Sequence, residues 1–193
     1  MLESEKVYIK KAKSGNQEAF GALYDHYLPS IYRFILLKVS NRAEAEDLSH
    51  EVFLSAWKNI PGYKDKGFPF SSWLYQIARN AVIDFYRTSK KNIQIEEAPE
   101  EFLKINFTGA DTLNLDLETD VLKKCVSLLK PEYQDVVIMR FIEEMPHGEV
   151  ASVLGKSEGA VRLAQHRAIK ELKEIYENEI KKYKYNGTTT HEA

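Results

Sequence analysis

The 193-residue chain is 44% hydrophobic and 29% charged, with a formal net charge of −2 at neutral pH. This composition is typical of a folded soluble protein, and no apolar run approaches the roughly 20 residues of a membrane-spanning helix, so membrane insertion is not expected. Cys125 is the single cysteine, which excludes an internal disulfide and a cysteine-based metal cluster and favours a cytoplasmic protein.

The charge is unevenly distributed along the chain. The range 96–120 contains eight acidic residues and one basic residue, Lys104. Without that range, the 27 basic and 29 acidic residues of the whole chain fall to 26 and 21, a balance of +5. Two weakly basic blocks therefore flank an acidic connector, so the net charge does not exclude a nucleic-acid partner.

The first block is predicted to be helical to about Lys91. Apolar residues recur every three or four positions from Phe20 to Ile35 after a start at Asn16, and Pro29 is predicted to kink this helix rather than end it. Asn41 is predicted to cap a second helix over 42–58, whose first turns are acidic where the helix dipole favours negative charge.

One face of the helix 42–58 mixes acidic and apolar side chains on overlapping turns. Such a face can bind a basic partner helix. The other interpretation is an acidic first turn that stabilises its own helix, beside a stripe of core residues. The residues of this acidic face are Glu46, Asp47, His50, Glu51 and Leu54.

The next segment contains an aromatic and basic loop at 63–70. A helix follows that is predicted to have Ser71 or Ser72 as its N-terminal cap and to run to about Arg87. Aromatic and cationic side chains hold single strands by stacking and charge, Gln and Asn can bond base edges, and Arg can bond phosphate. The other interpretation is that the loop aromatics, Phe68 and Phe70 above all, close the end of the bundle. The candidate nucleic-acid contacts are Tyr63, Lys64, Lys66, Phe68, Gln76, Arg79, Asn80 and Arg87.

The periodicity fades after Thr88, and a flexible acidic linker over 92–115 separates the two predicted domains. The second block, 116–185, is predicted to contain four helices, at 116–129, 131–143, 147–154 and 157–183, with Pro131 at the first position of its helix and Cys125 as a buried, inert thiol. The tail 186–193 is predicted to be disordered. The fold class is all-α, two small helical bundles of which the C-terminal one contains a helix-turn-helix.

The helix-turn-helix is predicted from 145–174, a short helix, a turn at Gly155 and a longer helix capped by Ser157. Val161 and Ala168 lie on the buried stripe of the longer helix, and polar and basic residues cover its outer face, as in helices that enter a DNA major groove. The other interpretation is an αα-hairpin with a solvated polar face. The candidate DNA contacts are Lys156, Ser157, Glu158, Gly159, Arg162, Gln165, His166, Arg167 and Lys170.

Two segments together carry a resemblance to a known family: AEAEDLSHEVFLSAWKNIPGYKDKGFPFSSWLYQIARNAVIDFYR at 43–87 and LLKPEYQDVVIMRFIEEMPHGEVASVLGKSEGAVRLAQHRAIKELKE at 128–174. They resemble region 2 and region 4 of the extracytoplasmic-function (ECF) sigma factors of bacterial RNA polymerase. The resemblance implies a promoter-selecting initiation factor that is not an enzyme and uses no cofactor. It places region 2 at 1–91 and region 4 at 116–185.

The resemblance also implies the partners. Region 2 would dock on the clamp helices of core RNA polymerase through the acidic face and open the −10 promoter element with the loop 63–70 and the helix after it. Region 4 would dock on the polymerase flap and read the −35 element through the helix-turn-helix, with Arg162 and Gln165 as the base-reading residues. An anti-sigma protein is a candidate third partner.

Other classes fit the residues less well. A helix-turn-helix regulator without a sigma role leaves the first block unexplained, and an adaptor that binds the clamp would not need to select promoters. His50-Glu51 lacks the second histidine of a zinc-binding helix, and Gly155-Lys156-Ser157 lacks the upstream glycine and strand of a phosphate-binding loop, so neither a metal site nor an enzyme is expected.

Overall fold

The computed structural model describes residues 5–93 and 117–187, with side chains over 5–88 and 121–181. Helices make up its regular structure, and the described ranges contain no strand. The chain divides into two compact units whose main boundary along the sequence falls between the fourth and fifth α-helices. The helices are α1 (Glu5–Lys13), α2 (Gln17–Val39), α3 (Arg42–Asn59), α4 (Phe70–Ile93), α5 (Leu117–Ser127), α6 (Pro131–Val137), α7 (His147–Leu154) and α8 (Glu158–Gly187).

The N-terminal unit is a bundle in which α2, α3 and α4 pack on one another and α1 packs against α2. Asn16 caps α2 by accepting a hydrogen bond from the Ala19 amide at 2.7 Å, and Asn41 caps α3 by accepting from the Glu44 amide at 3.1 Å. The Asn41 cap confirms the sequence prediction, and Asn16 lies at the predicted start of α2. The helix α2 continues through Pro29 to Val39, as expected. The sequence analysis did not identify α1.

The start of α4 differs from the prediction. The helix begins at Phe70, so neither Ser71 nor Ser72 is its cap. The Phe70 amide instead donates to the carboxylate of Glu5, which comes from α1. Ser72 lies inside the first turn, where its side chain is buried and its backbone amide bonds the Pro69 carbonyl.

The core of the N-terminal unit is built from the predicted apolar stripes together with residues that the sequence analysis did not select. Ile31 and Phe34 of α2 and Leu74 of α4 are fully buried, as their spacing indicates. Tyr75 and Val82 of α4 are also buried, and the Phe34 and Tyr75 rings meet edge to face at 5.4 Å. The buried side of α4 therefore runs along Leu74, Tyr75, Ala78 and Val82.

In the C-terminal unit, α8 packs against α5 and α6. The helix predicted over 131–143 begins at Pro131 and ends in a π-helical turn, Ile138–Ile142, after which Glu144 adopts a left-handed conformation with φ of 53°. The turn between α7 and α8 has Gly155 at φ of 62°, a conformation that favours glycine. This supports the predicted helix–turn–helix order.

The other predictions for the C-terminal unit concern Cys125, the end of α8 and the tail. Cys125 is buried, as expected, and burial raises the pKa of its thiol. The helix α8 runs through Gly187, two residues into the predicted tail. The rest of that tail, 188–193, and nearly all of the predicted linker 92–115 lie outside the described residues.

Candidate nucleic-acid and protein interface

The acidic face of α3 lies on the solvent side of the N-terminal unit. All five of its residues are exposed, and Leu54 has 58% of its surface accessible, whereas Val52 and Phe53 on the opposite side are buried. Glu46 pairs with Arg42 one turn earlier at 3.0 Å. An exposed leucine among carboxylates offers a protein partner both apolar and charged contacts.

An open groove with a volume of about 720 Å³ runs between α3 and α4, next to the acidic face. Two acidic-face residues, Asp47 and Glu51, line it together with Glu44 and Asp84, which the sequence analysis did not select. Burial raises the pKa of the Glu44 carboxyl. Four carboxylates along one groove favour a basic partner at this position.

The predicted nucleic-acid residues of α4 lie close to that groove. Gln76, Asn80 and Arg87 are exposed along one face of the helix, and Arg79 is half-buried beside them. Asn80 also lines the acidic groove, and Arg87 forms an ion pair with Asp84 at 3.1 Å. The structure therefore brings the two predicted surfaces together, with Asn80 at their junction.

The loop 63–70 presents only part of its predicted set to solvent. Lys64 and Lys66 are exposed, and Phe68 has 38% of its surface accessible. Tyr63 retains only 9%, because its ring lies 5.2 Å from Phe70 and 5.1 Å from Trp73.

This burial corrects the sequence-based picture of the loop. Burial, together with the carboxylates of Asp65 and Glu5, raises the pKa of the Tyr63 phenol. A ring enclosed in this way cannot offer a face to a base, which argues against a stacking role for Tyr63. Phe70 is buried as well, so Tyr63 and Phe70 close the bundle while Phe68 stays available.

The start of α8 has the geometry expected of a recognition helix. The Ser157 hydroxyl accepts from the Ala160 amide at 3.2 Å, which confirms the predicted cap. Lys156 pairs with Glu132 at 3.0 Å and Arg162 with Glu158 at 3.4 Å, both at the surface. Exposed ion pairs of this kind are weak, so these cations can exchange their carboxylate for a phosphate or a base. Exposed members of the predicted set are Lys156, Ser157, Glu158, Gly159, Arg162, His166, Arg167 and Lys170.

Gln165 differs from the rest of that set because its side-chain oxygen is already occupied. It accepts from Arg140 Nε at 3.2 Å and lies 3.0 Å from His147 Nε2. Arg140 also donates through Nη1 to the Met145 carbonyl. Gln165 thus ties α8 to the π-helical turn and to the first residue of α7, which argues against a two-bond contact between Gln165 and adenine.

Two exposed apolar residues of the C-terminal unit were not predicted from the sequence. Phe141 and Ile142 on the π-helical turn have 50% and 36% of their surfaces accessible. The apolar period of the predicted helix does not distinguish them from core residues, and both lie on the π-helical turn. Within residues 5–93 and 117–187, no helix combines the length and hydropathy that crossing a bilayer requires.

Comparisons with known proteins cover both units. Residues 23–92 match the family model of Sigma-70 region 2, and residues 119–172 match that of Sigma-70, region 4. The ECF RNA polymerase sigma factor BldN of Streptomyces coelicolor is 36% identical over 167 residues, which is 85% of this chain and 62% of that protein. SigW of Bacillus subtilis is 30% identical over 172 residues, 84% of this chain and 91% of that protein.

Solved structures with the same fold include two proteins captured with partners. CnrH, in complex with the cytosolic domain of CnrY, superposes with a TM-score of 0.69 at 22% identity, covering 91% of this chain and 99% of that chain. The sigma factor RpoE of Bartonella quintana, in complex with the anti-sigma factor NepR, gives 0.67 at 21% identity over 82% of this chain and 96% of that chain. At these identities the likeness establishes the fold alone.

Proposed function

The chain belongs to the ECF family of RNA polymerase sigma factors, and from this we propose that it binds core RNA polymerase and directs initiation at promoters with matching −10 and −35 elements. One observation carries the proposal. The two sigma regions occur in order on one chain, and they present surfaces of different chemistry, an acidic face on α3 and a basic, N-capped recognition helix α8.

The polymerase contact of the N-terminal unit is proposed to be the acidic face together with the groove beside it. Asp47 and Glu51 belong to both, so one basic helix could pair with these carboxylates while its apolar side covers Leu54. The exposure of all five residues supports this assignment. Glu46 and His50 would lie at the edge of the contact.

The −10 contact is proposed to be the exposed part of the loop 63–70 with the outer face of α4. Phe68 can stack on an unpaired base, and Lys64 and Lys66 can neutralise the strand on either side of it. Gln76 and Asn80 can bond base edges, with Arg79 and Arg87 directed to phosphates. Tyr63 is proposed to support the loop from beneath.

The −35 contact is proposed to be the first three turns of α8. Arg162 is exposed and carries the forked guanidinium that bonds two acceptors of guanine. The amides at Ser157, Glu158 and Gly159 begin the helix and can receive a phosphate. Lys156, His166, Arg167 and Lys170 would add phosphate contacts, and Gln165 would hold the helix in place.

As a sigma factor the chain would lend specificity to the catalytic polymerase and would have no enzymatic activity of its own. Its proposed place of action is the cytoplasm, where the transcribing polymerase acts. An anti-sigma protein is a further proposed partner, since structural neighbours have been solved with such proteins. The acidic face is the surface for which such a partner and the polymerase would compete.

The test has two steps. The purified chain is first mixed with core polymerase and the mixture separated by gel filtration, and the complex is then used for runoff transcription from a promoter mapped after overexpression. Co-elution and a transcript of defined start are expected. A regulator without a sigma role would fail to co-elute, and a polymerase adaptor would co-elute but produce no specific transcript.

A further inference from the structure

The helix α1 makes a polar contact with each end of the loop 63–70. At the first end, Lys13 Nζ donates to the Tyr63 carbonyl at 2.7 Å. At the second end, the Phe70 amide donates to Glu5 Oε1 at 3.3 Å. Glu5 and Lys13 are the first and last residues of α1, so one short helix spans the base of the loop.

The loop between these contacts is closed at its base and free at its tip. The rings of Tyr63 and Phe70, the two residues whose backbones make the polar contacts, meet edge to face at 5.2 Å. Within the loop, the Gly67 amide bonds Asp65 Oδ1 at 2.8 Å, and Gly67 has φ of 81°. The tip is therefore a compact turn, and the segments that carry it are fixed at their two ends.

We propose that Glu5 and Lys13 are positioning residues for promoter opening, because they hold the loop 63–70 in the conformation that captures unpaired bases. The inference rests on the proposed function and assigns a role to α1, which that function does not otherwise use. Both contacts involve a charged group, and charge-assisted hydrogen bonds are the stronger kind. A loop fixed before binding loses less conformational freedom when a strand docks on it.

The second contact also sets where α4 begins. Glu5 receives the N–H of the first residue of α4, one of the helix-start amides that have no partner within the helix. Since Gln76, Asn80 and Arg87 all lie on α4, the same carboxylate fixes the loop and the helix that share the proposed −10 contact. Loss of Glu5 should therefore disturb opening without disturbing the acidic face on α3.

The experiment compares variants of the full chain. Glu5→Ala and Lys13→Met each remove one contact, whereas Glu5→Gln keeps an acceptor oxygen and Lys13→Arg keeps a donor. Lys11→Met is the matched control, because Lys11 is exposed on the same helix. Opening is followed by 2-aminopurine fluorescence in the −10 element at saturating polymerase, and core affinity and thermal unfolding are measured beside it.

The expected result is a fall in the opening rate of roughly three- to tenfold for Glu5→Ala and for Lys13→Met, the scale of one lost hydrogen bond. Lys13→Arg and Lys11→Met should open the promoter at nearly the wild-type rate. Glu5→Gln, which keeps an acceptor but loses its charge, should lose less than Glu5→Ala, and core affinity should stay within about twofold throughout. Normal opening by both contact-removing variants, or an equal loss with Lys11→Met, would overturn the inference.

A second readout does not depend on the sigma role. Trypsin cleaves after Lys64 and Lys66, both exposed in the loop, and a loosened loop should be cut faster than the wild-type loop. Glu5→Ala and Lys13→Met should accelerate cleavage at these two sites, Lys13→Arg should not, and Glu5→Gln should have a smaller effect than Glu5→Ala. Unchanged cleavage would refute the two contacts, whether or not the wild-type chain opens a promoter. Failure of the wild-type chain to open a promoter would refute the proposed function instead.

Discussion

Arg162 and Gln165 lie within one turn of α8 but have different surroundings. Arg162 is at the surface with a single weak ion pair to Glu158, so its guanidinium can turn to a base. Gln165 is half-buried, and its oxygen serves Arg140 and His147. The two residues should therefore affect −35 recognition in different ways.

For Arg162→Ala we expect weaker binding of the −35 element and relaxed discrimination at one base pair. Loss of a two-bond contact to a base should reduce discrimination there by about 1–3 kcal/mol. Competition binding between −35 variants measures this change. Unaltered preference at every position would show that Arg162 does not read a base.

For Gln165→Ala we expect a uniform loss of affinity for all −35 sequences and lower stability of the C-terminal unit. The substitution removes the acceptor that Arg140 and His147 share. Each lost hydrogen bond should lower the free energy of unfolding by about 0.5–1.5 kcal/mol. Gln165→Glu keeps the acceptor and should retain the stability of the C-terminal unit, whereas its added negative charge should weaken DNA binding, so this variant is the control for stability alone. A loss of preference confined to one base would contradict this positioning role.

Sequence reasoning selected the right residue types on α8 but could not assign their partners. Arg162 and Glu158 are one turn apart, so that pair follows from helical spacing. Gln165 meets His147 and Arg140 across 18 and 25 residues, and those contacts depend on a π turn that the apolar pattern does not reveal. The sequence around Tyr63 has the composition of an exposed loop, but the Tyr63 ring is buried in the fold.

At the scale of elements, helix starts were predictable where the cap is local. Asn16, Asn41 and Ser157 each accept from an amide three residues later, a pattern readable from sequence alone. The amide at the start of α4 instead bonds Glu5, which is 65 residues away, a contact that the local pattern of serines does not reveal.

The cap of the recognition helix gives a prediction for Ser157→Ala. Loss of the bond to the Ala160 amide should lower the stability of α8 by about 0.5–2 kcal/mol. Hydrogen exchange of the first α8 amides in the full chain measures the change, and Ser157→Asp, which keeps an acceptor, is the control. Equal protection in both variants would show that the cap contributes nothing.

At the scale of the whole molecule, the net charge of −2 conceals an acidic face on α3 and a basic, exposed start of α8, which belong to separate units. The acidic connector at 96–120 and the loss of periodicity after Thr88 were sufficient to predict two helical units. The groove between α3 and α4 was not predictable, because Glu44 and Asp84 approach it from different helices.

For the double substitution Asp47→Lys with Glu51→Lys we expect weaker binding to core polymerase and an intact fold. Both residues are exposed, so no buried contact is lost, while two attractive charges become repulsive toward a basic partner. The matched control is Glu18→Lys with Asp25→Lys, the same charge change on exposed positions of α2. Equal co-elution of both double variants with polymerase would remove the acidic face from the contact.

The most direct test of the account is runoff transcription with core polymerase on three templates: the mapped promoter, the same promoter with a scrambled −10 element, and the same promoter with a scrambled −35 element. The account predicts a transcript of defined start only when the chain is present, and a strong loss on either scrambled template. Transcription that is equal on all three templates, or equal without the chain, would contradict it.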